Sequence, residues 1–183
     1  MFGCFALCML VGHDSNADSG VPLSLQVRLL SRLASYDRNF ERRAGAVARV
    51  LVVYRKDDSS SGLEDTSLAK ALNELDDIGG LPLEVDHAEF TEPDSLAKRC
   101  RADRIAVMYL TVGLEADMPR IAAALVGGDV LTVGTNARLA ENGAVVGFAL
   151  EEARPKLVLN LRQARSQNVN FKAEVLTLAR LIR

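Results

Sequence analysis

The chain has 183 residues, 49% of them hydrophobic, and carries 22 Lys plus Arg against 24 Asp plus Glu, a formal charge of −2. That length suits one domain with a full core, and the near balance of charge argues against a nucleic-acid binder, which carries a strong basic excess. With no Trp and only 5% aromatic residues, Leu, Val, Ala and Ile must do most of the packing.

The opening stretch, MFGCFALCMLVGHDSNADSG, begins with an almost unbroken apolar run from Phe2 to Val11, too short to span a bilayer as a helix. Ser15 and Ala17 then supply the small residues of a signal-peptidase site. Residues 1–17 are therefore expected to be a signal peptide without the usual positive n-region, and residues 18–183 the exported domain. A buried N-terminal strand or helix is the alternative. On the export reading Cys4, Cys8 and His13 leave with the signal. Cys100 is then the only thiol, so no internal disulfide forms, and it is expected to pack as a small hydrophobe.

From Val21 to about Phe40 the pattern is helical, with Leu25, Leu29 and Leu33 at successive fourth positions. ARVLVVYR (Ala48 to Arg55) reads as a buried strand, and KDDSSSG (Lys56 to Gly62) as a loop at its carboxyl end. DTSLAKALNELDDIGG is a helix capped by Asp65 or Thr66 and stopped at Gly79 and Gly80. LPLEVDHAEF alternates apolar and polar residues as a half-exposed strand does.

The unit then repeats. EPDSLAKRCRADR is a helix capped near Asp94 or Ser95, and IAVMYLT (Ile105 to Thr111) is a buried strand. LEADMPRIAAALVGG is a helix near Pro119, and DVLTVG (Asp129 to Gly134) is another strand. Strands separated by helices of this length imply right-handed crossovers and a mostly parallel sheet. AVVGFALE and PKLVLNL, joined by EARP, read as an antiparallel hairpin. FKAEVLTLARLI reads as a closing helix with Phe171, Val175, Leu178 and Ile182 on one face. The expected fold is a single α/β domain: a mostly parallel sheet, flanking helices and an antiparallel C-terminal hairpin.

The residues from Val130 to Arg183 carry a further pattern. VLTV and a Gly turn lead through a short helical segment to NG, then to a GF-L strand, a charged turn, L-V-NL and a closing VL-LAR. This order resembles the C-terminal signature of the YfiR family. The resemblance implies a periplasmic, non-catalytic regulator that forms dimers. It would bind a membrane-bound sensor protein, with a cyclase or kinase output, and control cyclic-di-GMP signalling.

Several groups could mediate such contacts. Arg154, Arg162 and Arg165 flank the hairpin and the turn after it, and Arg180 and Arg183 lie in the last element. Guanidinium forks grip carboxylates or phosphates; ordinary solvated surface charge is the competing and favoured reading. Tyr36 and Arg38, in YDRNF, are residue types favoured at interfaces. The competing reading packs Tyr36 and Phe40 on the sheet and pairs Asp37 with Arg38. Asn160 is placed to cap the turn LRQAR.

A second class of function is a small solute-binding domain. Its ligand would lie at strand carboxyl ends near Asp57, Thr111 and Gly134. No phosphate-loop or dinucleotide glycine spacing is present. His13 and His87 are the only histidines, so neither a zinc site nor a catalytic triad is expected. No cofactor is expected either.

Overall fold

The computed structural model describes residues 20–183. The expected signal segment, with Cys4, Cys8 and His13, lies outside the described residues. Helix α1 (Leu23–Ala34) and the short α2 (Phe40–Ala44) precede strand β1 (Ala48–Tyr54). Then come α3 (Ser59–Asn73), β2 (Leu83–Glu89), α4 (Pro93–Ala102), β3 (Val107–Leu110), α5 (Met118–Ala124) and β4 (Leu131–Gly134). The chain closes with α6 (Ala137–Glu141), β5 (Val146–Glu151), β6 (Arg154–Asn160), α7 (Leu161–Ser166), α8 (Ala173–Leu176) and β7 (Arg180–Ile182).

The seven strands form one sheet in the order β2-β1-β3-β4-β5-β6-β7. Strands β1 to β5 run parallel; β5 and β6 form the antiparallel hairpin, and β7 pairs parallel to β6. The expected single α/β domain with its C-terminal hairpin is thus present. Its connection turns at Glu152 and Ala153, both at positive φ, the backbone that matches the right-handed twist of a tight hairpin.

Side chains alternate between the two faces. Val50 and Val52 of β1, Val107 and Tyr109 of β3, and Val133 of β4 face a core built with α1 and α3. Leu51, Val53, Met108 and Leu110 face a second core under α4 and α5. The central strands β3 and β4 are buried along their whole length, as the apolar runs require for strands covered on both sides. β2 is an edge strand, and its exposed Glu84 and Asp86 carboxylates pair with Arg49 and Arg99. Charge on an edge discourages pairing with another chain.

Three expectations are corrected. The long first helix stops at Ala34, and the chain turns before α2 because Asp37 forms a bridge with Phe171 and its carboxylate takes the Asn39 and Asn170 amides. The stretch KDDSSSG is not a loop to its end. Helix α3 starts at Ser59, about two turns earlier than either Asp65 or Thr66 would set, because Asp58 accepts the Ser61 amide at 3.0 Å and an Asp cap outweighs weak Ser propensity; it also ends at Asn73, short of the expected stop at Gly79 and Gly80. The expected closing helix is only Ala173–Leu176. Arg180–Ile182 instead pairs with Val158–Asn160, giving backbone partners to an edge of β6 that would otherwise be bare.

Candidate functional site

Neighbouring connections leave β1 and β3 in opposite directions across the sheet, so the carboxyl ends of these strands flank a topological switch point, where open α/β sheets bind ligands. Here the protein's own side chains fill that position. The Ser61 and Thr111 hydroxyls lie 2.6 Å apart, and Thr111 also donates to the Val53 carbonyl. Arg55 donates Nε to the Gly113 carbonyl at 2.8 Å and pairs with Asp117. Glu64 accepts the Val112 amide at 2.9 Å and Glu115 the Gly113 amide at 2.8 Å, while Glu115 also holds Asn136. Gly113 has φ +84, and a Cβ there would lie 2.6 Å from Asp58 Oδ2; only glycine lets this loop approach the α3 cap so closely.

Beneath this layer Gln26 of α1, 1% exposed, donates to the carbonyls of Val21 and Thr135 and accepts from the Tyr109 hydroxyl at 3.1 Å. Burial, and then the Glu64 carboxylate, hold the Tyr109 phenol well above its usual range, so it stays a hydrogen-bond donor.

A second polar centre joins the α1–α2 connection to the C-terminal segment. Asp37 and Arg43 form an ion pair at 2.6 Å with side chains 0% and 1% exposed. Arg43 also donates Nε to Asp129 at 3.1 Å and a terminal nitrogen to the Asn168 carbonyl at 3.1 Å. Every guanidinium nitrogen and both Asp37 oxygens are therefore engaged, which is the condition for a buried pair to be tolerated. Next to it the Arg38 amide donates to Asn170 and the Lys172 amide to Tyr36, and the Lys172 ammonium lies 5.6 Å from the Tyr36 ring centre. The YDRNF stretch is thus stitched to residues 168–172.

The expected contact residues fall into separate groups. Tyr36, 40% exposed, and the exposed Arg38 share one surface with Lys172. Arg162 and Arg165 stand exposed on α7, where Arg165 lines a small cavity with Phe171 and Leu176. Arg154 lies beside the hairpin turn at the other end of the sheet. Arg180 is held by Glu141 at 3.0 Å and Glu151 at 3.2 Å, and it belongs to β7 rather than to a helix. Arg38, Arg154, Arg162 and Arg165 have no side-chain ion pair among the described residues. The expected local pair of Asp37 with Arg38 is replaced by the buried pair with Arg43, and Tyr36 faces solvent while Phe40, 1% exposed, enters the core. Of the residues considered for a ligand, Asp57 is exposed, Thr111 is buried, and Gly134 packs so closely on α6 that a Cβ would lie 2.3 Å from Leu139 Cβ. Asn160 caps α7 by accepting the Gln163 amide at 3.0 Å and also donates to the Ala140 carbonyl.

The model of the YfiR/HmsC-like family matches residues 24–180. The chain belongs to the YfiR/HmsC-like family. The match runs from α1 to β7, so the resemblance carried by the C-terminal third extends to the β1–β4 units as well. No curated protein matches the chain. Among solved structures the chain is similar to a conserved domain protein from Vibrio cholerae, with a TM-score of 0.64, 14% identity, and coverage of 88% of this chain and 60% of that one. It is similar to a Streptococcus pneumoniae protein described as an ABC domain in complex with L-Trp, at TM-score 0.60 and 11% identity, covering 88% and 62% of the two chains. It is also similar to the ligand-free, open structure of a substrate-binding protein with adhesive properties from Clostridium difficile, at TM-score 0.61 and 11% identity, covering 89% and 60%. At such identities these likenesses show the fold alone, and the chain spans about three fifths of each structure's length.

In this YfiR/HmsC-like chain the sequence reading missed Arg43, Gln26 and Asp129. Arg43 lies six residues from Asp37 and 86 from Asp129, and neither spacing is a helical or strand repeat. Gln26 offered one signal, a polar residue within an apolar helical stripe. Among the described residues no helix is long and apolar enough to cross a membrane, and no group of His, Cys, Asp and Glu is arranged to hold a metal.

Proposed function

We propose that this protein is an exported, non-catalytic regulator that binds the periplasmic part of a membrane-bound sensor, a cyclase or kinase, and holds it in one signalling state. Family membership supports a periplasmic regulator. The observation that carries the partner reading is the contrast between two regions: the strand-end crevice is filled by the protein's own hydrogen-bonded side chains, whereas Arg38, Arg154, Arg162 and Arg165 project without acidic partners among the described residues. Exposed guanidiniums suit carboxylates on a partner and govern which partner is accepted. Tyr36 and Arg180 complete the proposed contact set. Control of cyclic-di-GMP output and a homodimer belong to the same reading. Pull-down of the sensor's periplasmic domain tests it: Arg162→Glu combined with Arg165→Glu should abolish capture while the variant stays folded by circular dichroism. Undiminished capture by that folded variant, and by Arg38→Glu with Arg154→Glu, refutes the placement.

A second reading, a small solute-binding domain with its ligand near Asp57, Thr111 and Gly134, draws on the likeness to a substrate-binding protein. A thermal-shift screen against metabolites separates the two. A saturable rise in melting temperature that a substitution at Asp57 removes favours this reading, and the absence of any such Asp57-dependent rise favours the partner reading.

A further inference from the structure

The end of the sheet opposite the switch point carries a different feature. Between α4, the loop after it and the start of β4 lies a cleft of about 270 Å³, lined by Arg42, Arg43, Arg101, Arg104, Gly128 and Asp129, with Cys100 and Leu125 among its apolar neighbours. The charges there do not balance. Arg42 and Arg43 share the Asp129 carboxylate at 3.0 and 3.1 Å, and Asp37 is buried behind Arg43. Arg101 and Arg104 have no ion pair or hydrogen-bonded side-chain partner among the described residues. Asp103, between Arg101 and Arg104 in sequence, is paired with Arg99 at 3.4 Å. Four guanidiniums therefore meet two carboxylates, in a chain whose formal charge is −2. Arg104 moreover holds φ +52, a left-handed backbone that costs a non-glycine residue about 1 kcal/mol or more.

We infer that this cleft is a binding site for a small anion bearing a phosphate or carboxylate group. Like charges in a concave site repel one another, and an anion between them removes that repulsion while accepting paired N–H donors from planar guanidinium forks. The volume admits a phosphomonoester or a dicarboxylate but not a polymer. The site lies at the opposite end of the sheet from the strand-end crevice, and it does not depend on the identity of any protein partner.

The test uses the purified protein in chloride buffer of constant ionic strength, titrated with inorganic phosphate, glycerol 3-phosphate or succinate and followed by amide chemical shifts and by calorimetry. Saturable binding of at least one of the three, with shifts at Gly128, Asp129 and residues 101–104, is expected. Arg104→Gly suits the left-handed backbone, so it should keep or raise the melting temperature while weakening binding about tenfold, the loss of one strong charge-assisted contact. Arg101→Gln should weaken binding in the same direction. The inference is overturned if none of the three anions saturates above the chloride control, or if binding is unchanged in the folded Arg101→Gln, Arg104→Gly double variant.

Discussion

Replacing Asp37 by Asn tests whether the buried pair with Arg43 organises the C-terminal segment. Both side chains are almost wholly buried and the contact is 2.6 Å. Asn retains an acceptor for the Asn39 and Asn170 amides, at 3.1 and 2.8 Å, but leaves the Arg43 charge with only Asp129 as counter-ion. Removing one partner of a buried pair costs about 3–5 kcal/mol. The surviving Asp129 contact, at 3.1 Å, places this variant at the low end, about 3 kcal/mol. For a domain of this size each kcal/mol moves the melting temperature by about 2–4 °C, so thermal denaturation followed by circular dichroism at neutral pH should show a fall of about 6–12 °C. Asp37→Leu also removes the side-chain acceptor of both backbone amides and should fall further. Combining Asp37→Leu with Arg43→Met should recover much of the loss, because an apolar pair leaves no buried charge. A melting temperature within about 1 °C of wild type for Asp37→Asn, or a loss that about 0.5 M salt abolishes in the manner of a screened surface pair, would refute the reasoning.

Gly134→Ala places a Cβ 2.3 Å from Leu139 Cβ and should destabilise the domain by about 1–3 kcal/mol in urea titration; unchanged stability would mean that Gly134 is not held by this close packing. Asn160→Ala removes the α7 cap and the donor to the buried Ala140 carbonyl, so a loss of about 2 kcal/mol is expected in the same assay. Burial pushes the Cys100 thiol up to about 12 from an ordinary 9.0, against the smaller opposing pull of Arg99 and Arg101. The folded state therefore binds more protons than the unfolded state between these values. Its contribution to stability is intact below pH 9 and is lost as pH rises towards 12; Cys100→Ala should flatten that decline. Native Cys100 should also react with iodoacetamide at least about 100-fold more slowly than the urea-unfolded thiol.

The parallel sheet was legible because each central strand is an apolar run flanked by helical periodicity, and burial on both faces leaves no other use for Val50–Val53 or Val107–Leu110. The hairpin was legible from two apolar stretches separated by a short charged turn. What failed depended on contacts distant in the chain. The last helix looked continuous because Phe171, Val175, Leu178 and Ile182 recur at helical spacing, yet Leu178 is 70% exposed, and the backbone demand of the β6 edge outweighs the pattern. The YDRNF stretch looked local, but its Asp pairs across a helix turn and its neighbours bond to residues more than 130 positions away. The arginines proposed as contacts could be named from sequence; their division among four regions could not, because the α1–α2 connection, the hairpin, α7 and β7 place them apart on the fold.

That division constrains how a regulator of this shape could work. A protein that only binds shifts its partner's equilibrium by the difference in its affinity for the two states. Converting a 1:99 balance to 99:1 needs about 5.5 kcal/mol. A charge-assisted hydrogen bond contributes about 1.5–3 kcal/mol, so about two to four guanidinium–carboxylate contacts made in one sensor state and broken in the other are sufficient. Arg38 and Arg165 are the pair best placed to act together, because the strip from Asn168 to Lys172 is bonded on one side to the α1–α2 connection and continues on the other from α7. The Asp37–Arg43 pair anchors this strip through the Asn168 carbonyl and the Asn170 amide. On the partner-binding reading, Asp37→Asn should weaken sensor capture even at temperatures where the variant remains fully folded, whereas Gly134→Ala, which disturbs only the α6 packing at the other end of β4, should lower stability and leave capture unchanged.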